Sequence, residues 1–242
     1  MLNNGVALII GAGDATGGAI AKRFAREGYT TCCVRRHVDK LSLLVEEIEA
    51  EGGKAVAFGC DARKEDQVSD LVETIESEIG PIEVLVFNIG ANVPSSILEE
   101  TARKYYKIWE MGCFSGFLCG REVALRMKPR EKGTIIFTGA TASLRGAQNF
   151  ASFSGSKHAL RALAQSMARE LAPIGIHVAH TVIDGAIDTD FIKTNFPERY
   201  ALKDQGGILD PNHIADNYWH IHSQPKDSWT FELDLRPWTE QW

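Results

Sequence analysis

No apolar run in this 242-residue chain approaches the ~18–20 residues that a membrane-spanning helix needs. No basic cluster extends beyond Arg35-Arg36, and the net charge is -6. Binding to a phosphate backbone wants clustered Lys and Arg, so a nucleic-acid partner is not expected. The five cysteines, Cys32, Cys33, Cys60, Cys113 and Cys119, are odd in number and lack metal-ligand spacing. That pattern argues against a disulfide scaffold or a metal centre and points to reduced thiols in the cytoplasm. The N-terminus enters an apolar stretch at once, without a basic leader or a small-residue cleavage site, so no signal peptide is expected. Internal repeats, low-complexity segments and linkers are missing too.

What is present is alternation. Residues 6–10, 30–34, 56–58, 84–87, 134–138 and 177–182 read as buried strands, with helical spacing between them. Cys32 and Cys33, adjacent on one strand, fall on opposite faces as small apolar residues. Residues 229–235 alternate apolar and polar, which predicts a further strand with one apolar face. The rhythm implies parallel strands and right-handed crossovers: an α/β, doubly wound parallel sheet of about seven strands, Rossmann-like, in one domain. Segment 186–207 breaks the rhythm. It reads either as a lid over a site or as a surface excursion, and its Phe191, Phe196 and Tyr200 hint at an apolar pocket.

The first strand runs into Gly11-Ala12-Gly13-Asp14-Ala15-Thr16-Gly17-Gly18, and a helix follows. Glycine lets the backbone approach a pyrophosphate, and a helix N-terminus offers free N–H groups at the positive end of its dipole. The alternative is a tight turn with no ligand. The last glycine comes one residue too late for the spacing G-x-G-x-x-G. At the end of strand two, an Asp would accept from the ribose 2′-OH of NAD, and an Arg would take the 2′-phosphate of NADP. Arg35 and Arg36 stand there, so NADP(H) is expected over NAD(H), with Asp14 as an opposing charge.

The longer turn resembles that of the short-chain dehydrogenase/reductase family, G-x-x-x-G-x-G, with Gly11, Ala15 and Gly17 at the three positions. The resemblance covers nearly the whole chain. It implies that Gly11, Gly13, Asp14, Ala15, Thr16 and Gly17 cradle the pyrophosphate. It places Asp61 and Ala62 beside the adenine. Asn88-Ile89-Gly90 is similar to the family's Asn-Ala-Gly turn, which supports the sheet and the cofactor. Asp184-Gly185-Ala186-Ile187-Asp188-Thr189 resembles its Pro-Gly-x-x-x-Thr stretch, with Asp184 in the proline's place. Gly185, Ile187 and Thr189 are thereby implied at the nicotinamide.

The family's chemistry uses a Tyr as proton donor or acceptor and a Lys four residues later that lowers the Tyr pKa and holds the ribose. A Ser orients the carbonyl, and an Asn keeps a relay water. Lys157 matches the Lys. The Tyr position is Phe153, the Ser position Ala140 and the Asn position Cys113. Enoyl reductases of the wider superfamily place the Tyr seven residues before the Lys, which here is Phe150. Thr141 is the best substitute for the Ser. Ser152 and Ser154 flank Phe153 but turn roughly 100° away on a helix. His158 is expected to face solvent, Tyr105 and Tyr106 to pack on their helix, and Cys113 to be a buried apolar residue.

Three functional readings follow. The first is an NADP(H)-dependent oxidoreductase acting on a small carbonyl, alcohol or activated alkene by an altered proton path. The second is a catalytically silent cofactor-binding sensor or subunit partner. The third is a non-redox reaction like that of dehalogenase-like relatives, which replace the turn and carry Tyr with Arg. This chain keeps most of the turn and the Lys. The family pairs through its two long helices, here 99–127 and 150–171, so a homodimer or homotetramer is implied. The tail, with Trp229, Trp238 and Trp242, is expected to offer exposed tryptophans to that interface.

Overall fold

The computed structural model describes residues 5–240. Its strands are β1 (Val6–Ile10), β2 (Thr30–Arg35), β3 (Lys54–Gly59), β4 (Ile82–Phe87), β5 (Gly133–Thr138), β6 (Ile176–Ile183) and β7 (Glu232–Leu235). They form one seven-stranded sheet in the order β3-β2-β1-β4-β5-β6-β7, and every neighbouring pair is parallel. The winding reverses between β1 and β4. Two crossovers leave in opposite directions there and open a crevice at the C-terminal ends of the strands.

The helices are α1 (Thr16–Arg26), α2 (Ser42–Ala50), α3 (Glu65–Glu78), α4 (Ala102–Trp109), α5 (Ser115–Met127), α6 (Ala151–Leu171), α7 (Asp190–Asn195), α8 (Pro197–Tyr200) and α9 (Pro211–His222). Both faces of the sheet are covered, which explains why the strands read as continuous apolar runs. Val6, Leu8 and Ile10 of β1 pack with α3, α5 and α6, whereas Ala7 and Ile9 pack with α1, α2 and α9. Cys32 and Cys33 divide between the same two cores, as the strand period requires. Each fully buried Leu, Ile or Phe contributes roughly 1.5–3 kcal/mol, so both layers hold the crevice rigid.

The structure corrects three expectations. The helix read over 99–127 starts at Ala102, where Thr101 Oγ1 accepts from Lys104 N at 3.1 Å. It is then interrupted by a π-turn, Glu110–Phe114, between α4 and α5. Such turns insert a residue and recur at functional sites; this one contains Cys113. The last strand is shorter than 229–235. Trp229 lies outside it with its ring stacked on His177 at 4.7 Å, so it is not an exposed interface residue. Trp238 is 82% exposed and donates to Gln205 O at 3.1 Å; Trp242 lies outside the described residues. Segment 186–207, read as a break in the strand–helix rhythm, carries two short helices, α7 and α8. Its base is stapled by Leu209 N to Ala186 O at 2.8 Å and Asp188 N to Leu209 O at 2.9 Å. Among the described residues, no helix is long and apolar enough to cross a membrane.

Candidate functional site

The β1 turn is shaped by close backbone approach. Gly11 has φ +90°, and a Cβ there would lie 2.6 Å from Asn88 O. Asn88 Nδ2 donates to Gly11 O at 3.2 Å and ties the β1 and β4 turns together. At Gly17 a Cβ would lie 2.9 Å from Ala12 Cα and overlap Gly11 O, so α1 rests directly on the turn. Gly13 has nothing within 4 Å of its missing side chain. Ala15 stands at the N-cap of α1 with no side-chain cap, and the first turn, which opens with Thr16, carries no acid. The first N–H groups of this helix are thus left for an external anion. The turn therefore fits a pyrophosphate.

A groove of about 300 Å³ opens in front of it. Gly11 and Gly13 line it from β1, Arg35 and Arg36 from β2, Asp61 and Ala62 from β3, and Asn88 and Gly90 from β4. Arg63, Met111 and Ser115 line it too, which sequence reasoning missed. Met111 and Ser115 reach the groove only because the long helix packs there, and no local signal marks them. Arg35 Nη1 donates to Asp14 Oδ1 at 3.2 Å, while Arg36 is exposed. Arg63 grips Asp61 with bonds of 2.8 and 2.6 Å, and this holds the Asp61 carboxyl below its usual range. A separate crevice of about 260 Å³ lies behind α1, where Lys22 and Arg26 already pair with Glu47 and Glu51.

The other half of the site begins at Lys157. Its Nζ donates to Ile89 O at 3.0 Å and Thr138 O at 2.7 Å, bridging the ends of β4 and β5. Burial pulls its pKa down to about 8. One helical turn earlier, Phe153 stands beside it. A Cβ on Gly90 would meet Lys157 Cε at 3.4 Å and Phe153 Cε2 at 3.6 Å. Phe153 brings a ring and no proton. Ala140 is extended and its N–H donates to Ser143 Oγ at 3.1 Å. Cys113 is buried, and burial pushes its thiol up to about 11, against the opposing pull of Lys157. It is no thiolate at neutral pH.

Thr141 Oγ1 donates to Asp184 Oδ1, joining the ends of β5 and β6. Gly185, Ile187 and Thr189 do not line the groove in front of β1. Gly185 packs under Pro237, Ile187 bridges to Leu209, and Thr189 Oγ1 caps α7 by accepting from Ile192 N at 3.2 Å. His158 is exposed, Ser154 is buried, and Ser152 Oγ donates to Glu100. Tyr105 and Tyr106 keep 42% and 53% exposure on α4, while the Tyr105 hydroxyl packs on Gly155 of α6 and the Tyr106 ring lies 6.2 Å from that of Trp109, as expected of helix packing.

A partly buried network was not foreseen. Arg161 forks onto Glu232 at 2.6 and 2.7 Å, and Glu232 Oε2 lies 3.0 Å from His180 Nδ1. Burial pulls the His180 pKa down to about 4, so its ring is neutral near pH 7. The network braces α6, β6 and β7 beneath Gly139, and its partners are too distant in sequence to leave a motif. Among the described residues, no group of His, Cys, Asp and Glu is arranged to hold a metal ion.

The short chain dehydrogenase family matches residues 5–199. A crystal structure of a short-chain dehydrogenase from Rhodopseudomonas palustris is 46% identical, with TM-score 0.84, covering 98% of this chain and 100% of that one. A 7α-hydroxysteroid dehydrogenase complexed with NADH and 7-oxo glycochenodeoxycholic acid is 27% identical, with TM-score 0.88, covering 98% and 94%. A metagenomic short-chain oxidoreductase solved with NADP shares the fold at 24% identity and TM-score 0.84, covering 99% of each chain.

Proposed function

The chain belongs to the short-chain dehydrogenase family, and from that premise we propose an oxidoreductase that binds NADP(H) in preference to NAD(H). It exchanges a hydride with a small carbonyl, alcohol or activated alkene. The observation that carries this reading is the uncapped N-terminus of α1 behind the open side of Gly13. A bound nicotinamide would supply the hydride chemistry. The amides of α1 would hold its pyrophosphate, Arg35 and Arg36 the adenosine phosphate, and Asp61 and Ala62 the adenine edge. Lys157 spends two of its three protons on Ile89 O and Thr138 O, which leaves one for the nicotinamide ribose. Gly185, Ile187 and Thr189 would flank the nicotinamide at the base of segment 186–207. That segment acts as a lid whose Phe191 and Phe196, both exposed, offer an apolar wall.

The second reading is a silent dinucleotide-binding protein, favoured by Phe153 and Ala140 where the family's acid and its partner would stand. Titration with NADPH and NADH, followed by NADPH oxidation over a carbonyl panel, separates the readings. Tighter NADPH binding with turnover supports the first. Binding with no turnover, either of NADPH over carbonyls or of NADP+ over the matching alcohols, supports the second, tighter NADH binding overturns the NADP(H) preference, and no binding overturns both readings. The exposed Tyr106 and Leu125 on the long helices suit a homodimer or homotetramer, and a monomeric mass by light scattering would sink it. All five cysteines are free and buried, which suits a reducing compartment such as the cytoplasm.

A further inference from the structure

Thr141 and Asp184 sit on the sheet edge that Lys157 braces. Asp184 is 1% exposed, while Thr141 is partly exposed. Arg145 Nη2 lies 3.5 Å from Asp184 Oδ1, and Arg236 Nη1 lies 3.5 Å from Asp184 Oδ2. Arg236 also pairs with Asp234. A buried carboxylate is tolerated here because two guanidinium groups compensate it.

A hydroxyl has one proton and two lone pairs. Thr141 gives its proton to Asp184 and so offers only lone pairs to a ligand. A carbonyl oxygen brings lone pairs as well, whereas an alcohol brings a proton. Three neighbouring hydroxyls are engaged. Ser143 Oγ is buried and accepts from Ala140 N, Thr138 Oγ1 lies 2.8 Å from the Tyr218 hydroxyl, and Ser152 donates to Glu100.

We propose that Thr141, backed by Asp184 as its positioning residue, meets the reacting oxygen, and that the site is built for the alcohol form of its substrate. This rests on the dinucleotide-binding reading above. Oxidation then balances without a tyrosine. The C–H bond breaks with its electron pair going to an oxidised dinucleotide, the O–H proton passes to Thr141 Oγ1, the Thr141 proton passes to Asp184, and the carbonyl π bond forms.

The probes are 1-methylcyclohexanol, which has no carbinol hydrogen to lose, and cyclohexanone, which is already oxidised. Both are titrated by ligand-observed NMR against protein saturated with whichever of NADP+ and NAD+ it binds. The alcohol is expected to bind about fivefold tighter than the ketone, the worth of one hydrogen bond. Thr141→Val abolishes the preference. Asp184→Asn, whose amide donates to Thr141 and turns its hydroxyl outward, reverses it. Thr141→Val decides alone where Asp184→Asn does not fold. Equal or ketone-favoured binding by the unaltered protein, binding of neither probe, or a preference that survives Thr141→Val overturns the inference alone. Failure of both dinucleotides to bind overturns it together with the functional reading.

Discussion

On the side of β1 to β4 a groove is built on close backbone approach at Gly11 and Gly17, whereas at the ends of β5 and β6 it is side chains that meet. In the first half, glycines, the amides of α1 and the Asn88 clamp on Gly11 make the surface. A Cβ at Gly17 has nowhere to go, so this half tolerates few replacements, and Ala15 is its one departure from the family's glycine spacing. In the second half, the resemblance to the family implies Phe153, Ala140 and Cys113 at the Tyr, Ser and Asn positions beside Lys157. A polar pair, Thr141–Asp184, occupies the strand ends instead. Recognition by backbone depends on the absence of atoms. Chemistry by side chains can be rebuilt wherever buried charges stay compensated.

The contrast is broken most severely at Gly17. Gly17→Val is expected to cost ~3 kcal/mol or more in stability and to abolish dinucleotide binding, read by denaturant midpoint and titration. An unchanged midpoint would show that the turn can spread. The opposite test adds chemistry to the second half. Phe153→Tyr should raise NADPH-dependent carbonyl turnover by about 10²-fold with little change in NADPH affinity. No gain would mean that more than a hydroxyl separates this half from the family's pattern.

Lys157 belongs to both halves. Lys157→Met should weaken dinucleotide binding about tenfold, the worth of one charged hydrogen bond. It should also change the pH profile. The folded lysine loses its proton near pH 8, whereas an ordinary lysine does so near pH 10.5. Between those values the unfolded chain holds more protons, so stability rises with pH across that window. Lys157→Met removes the rise, measured as midpoint against pH. The smallest effect is at Asp14, whose carboxylate opposes a phosphate near Arg35. Asp14→Asn should raise NADPH affinity roughly 2-fold, and a fall instead would place the phosphate elsewhere.

Legibility follows the same division. The strands, the glycine turn and Lys157 were readable because each is a local pattern: a run, a spacing or a motif on one helix. The glycine signal even carried its geometry, since the φ of +90° at Gly11 and the clash at Gly17 are what those residues are for. The π-turn at Cys113 was not readable, because helical spacing continues across it and only packing on α6 creates it. Gly112 lies against Ser156 there, closer than any side chain would permit. In the tail, apolar alternation does not reveal which ring is already partnered within the chain; Trp238 stays 82% exposed. Trp229 had found His177.

By itself the sequence determined the alternation, the parallel sheet, the glycine turn and the loss of the tyrosine, because these are matters of residue type and local period. Only the tertiary structure decided which polar groups meet near the strand ends. Thr141 and Asp184 are 43 residues apart, and His180 and Glu232 are 52 apart. Such pairs have no period to detect. They exist because parallel pairing sets distant residues side by side: His180 beside Glu232 in the β6–β7 register, and Thr141 beside Asp184 just past the ends of β5 and β6.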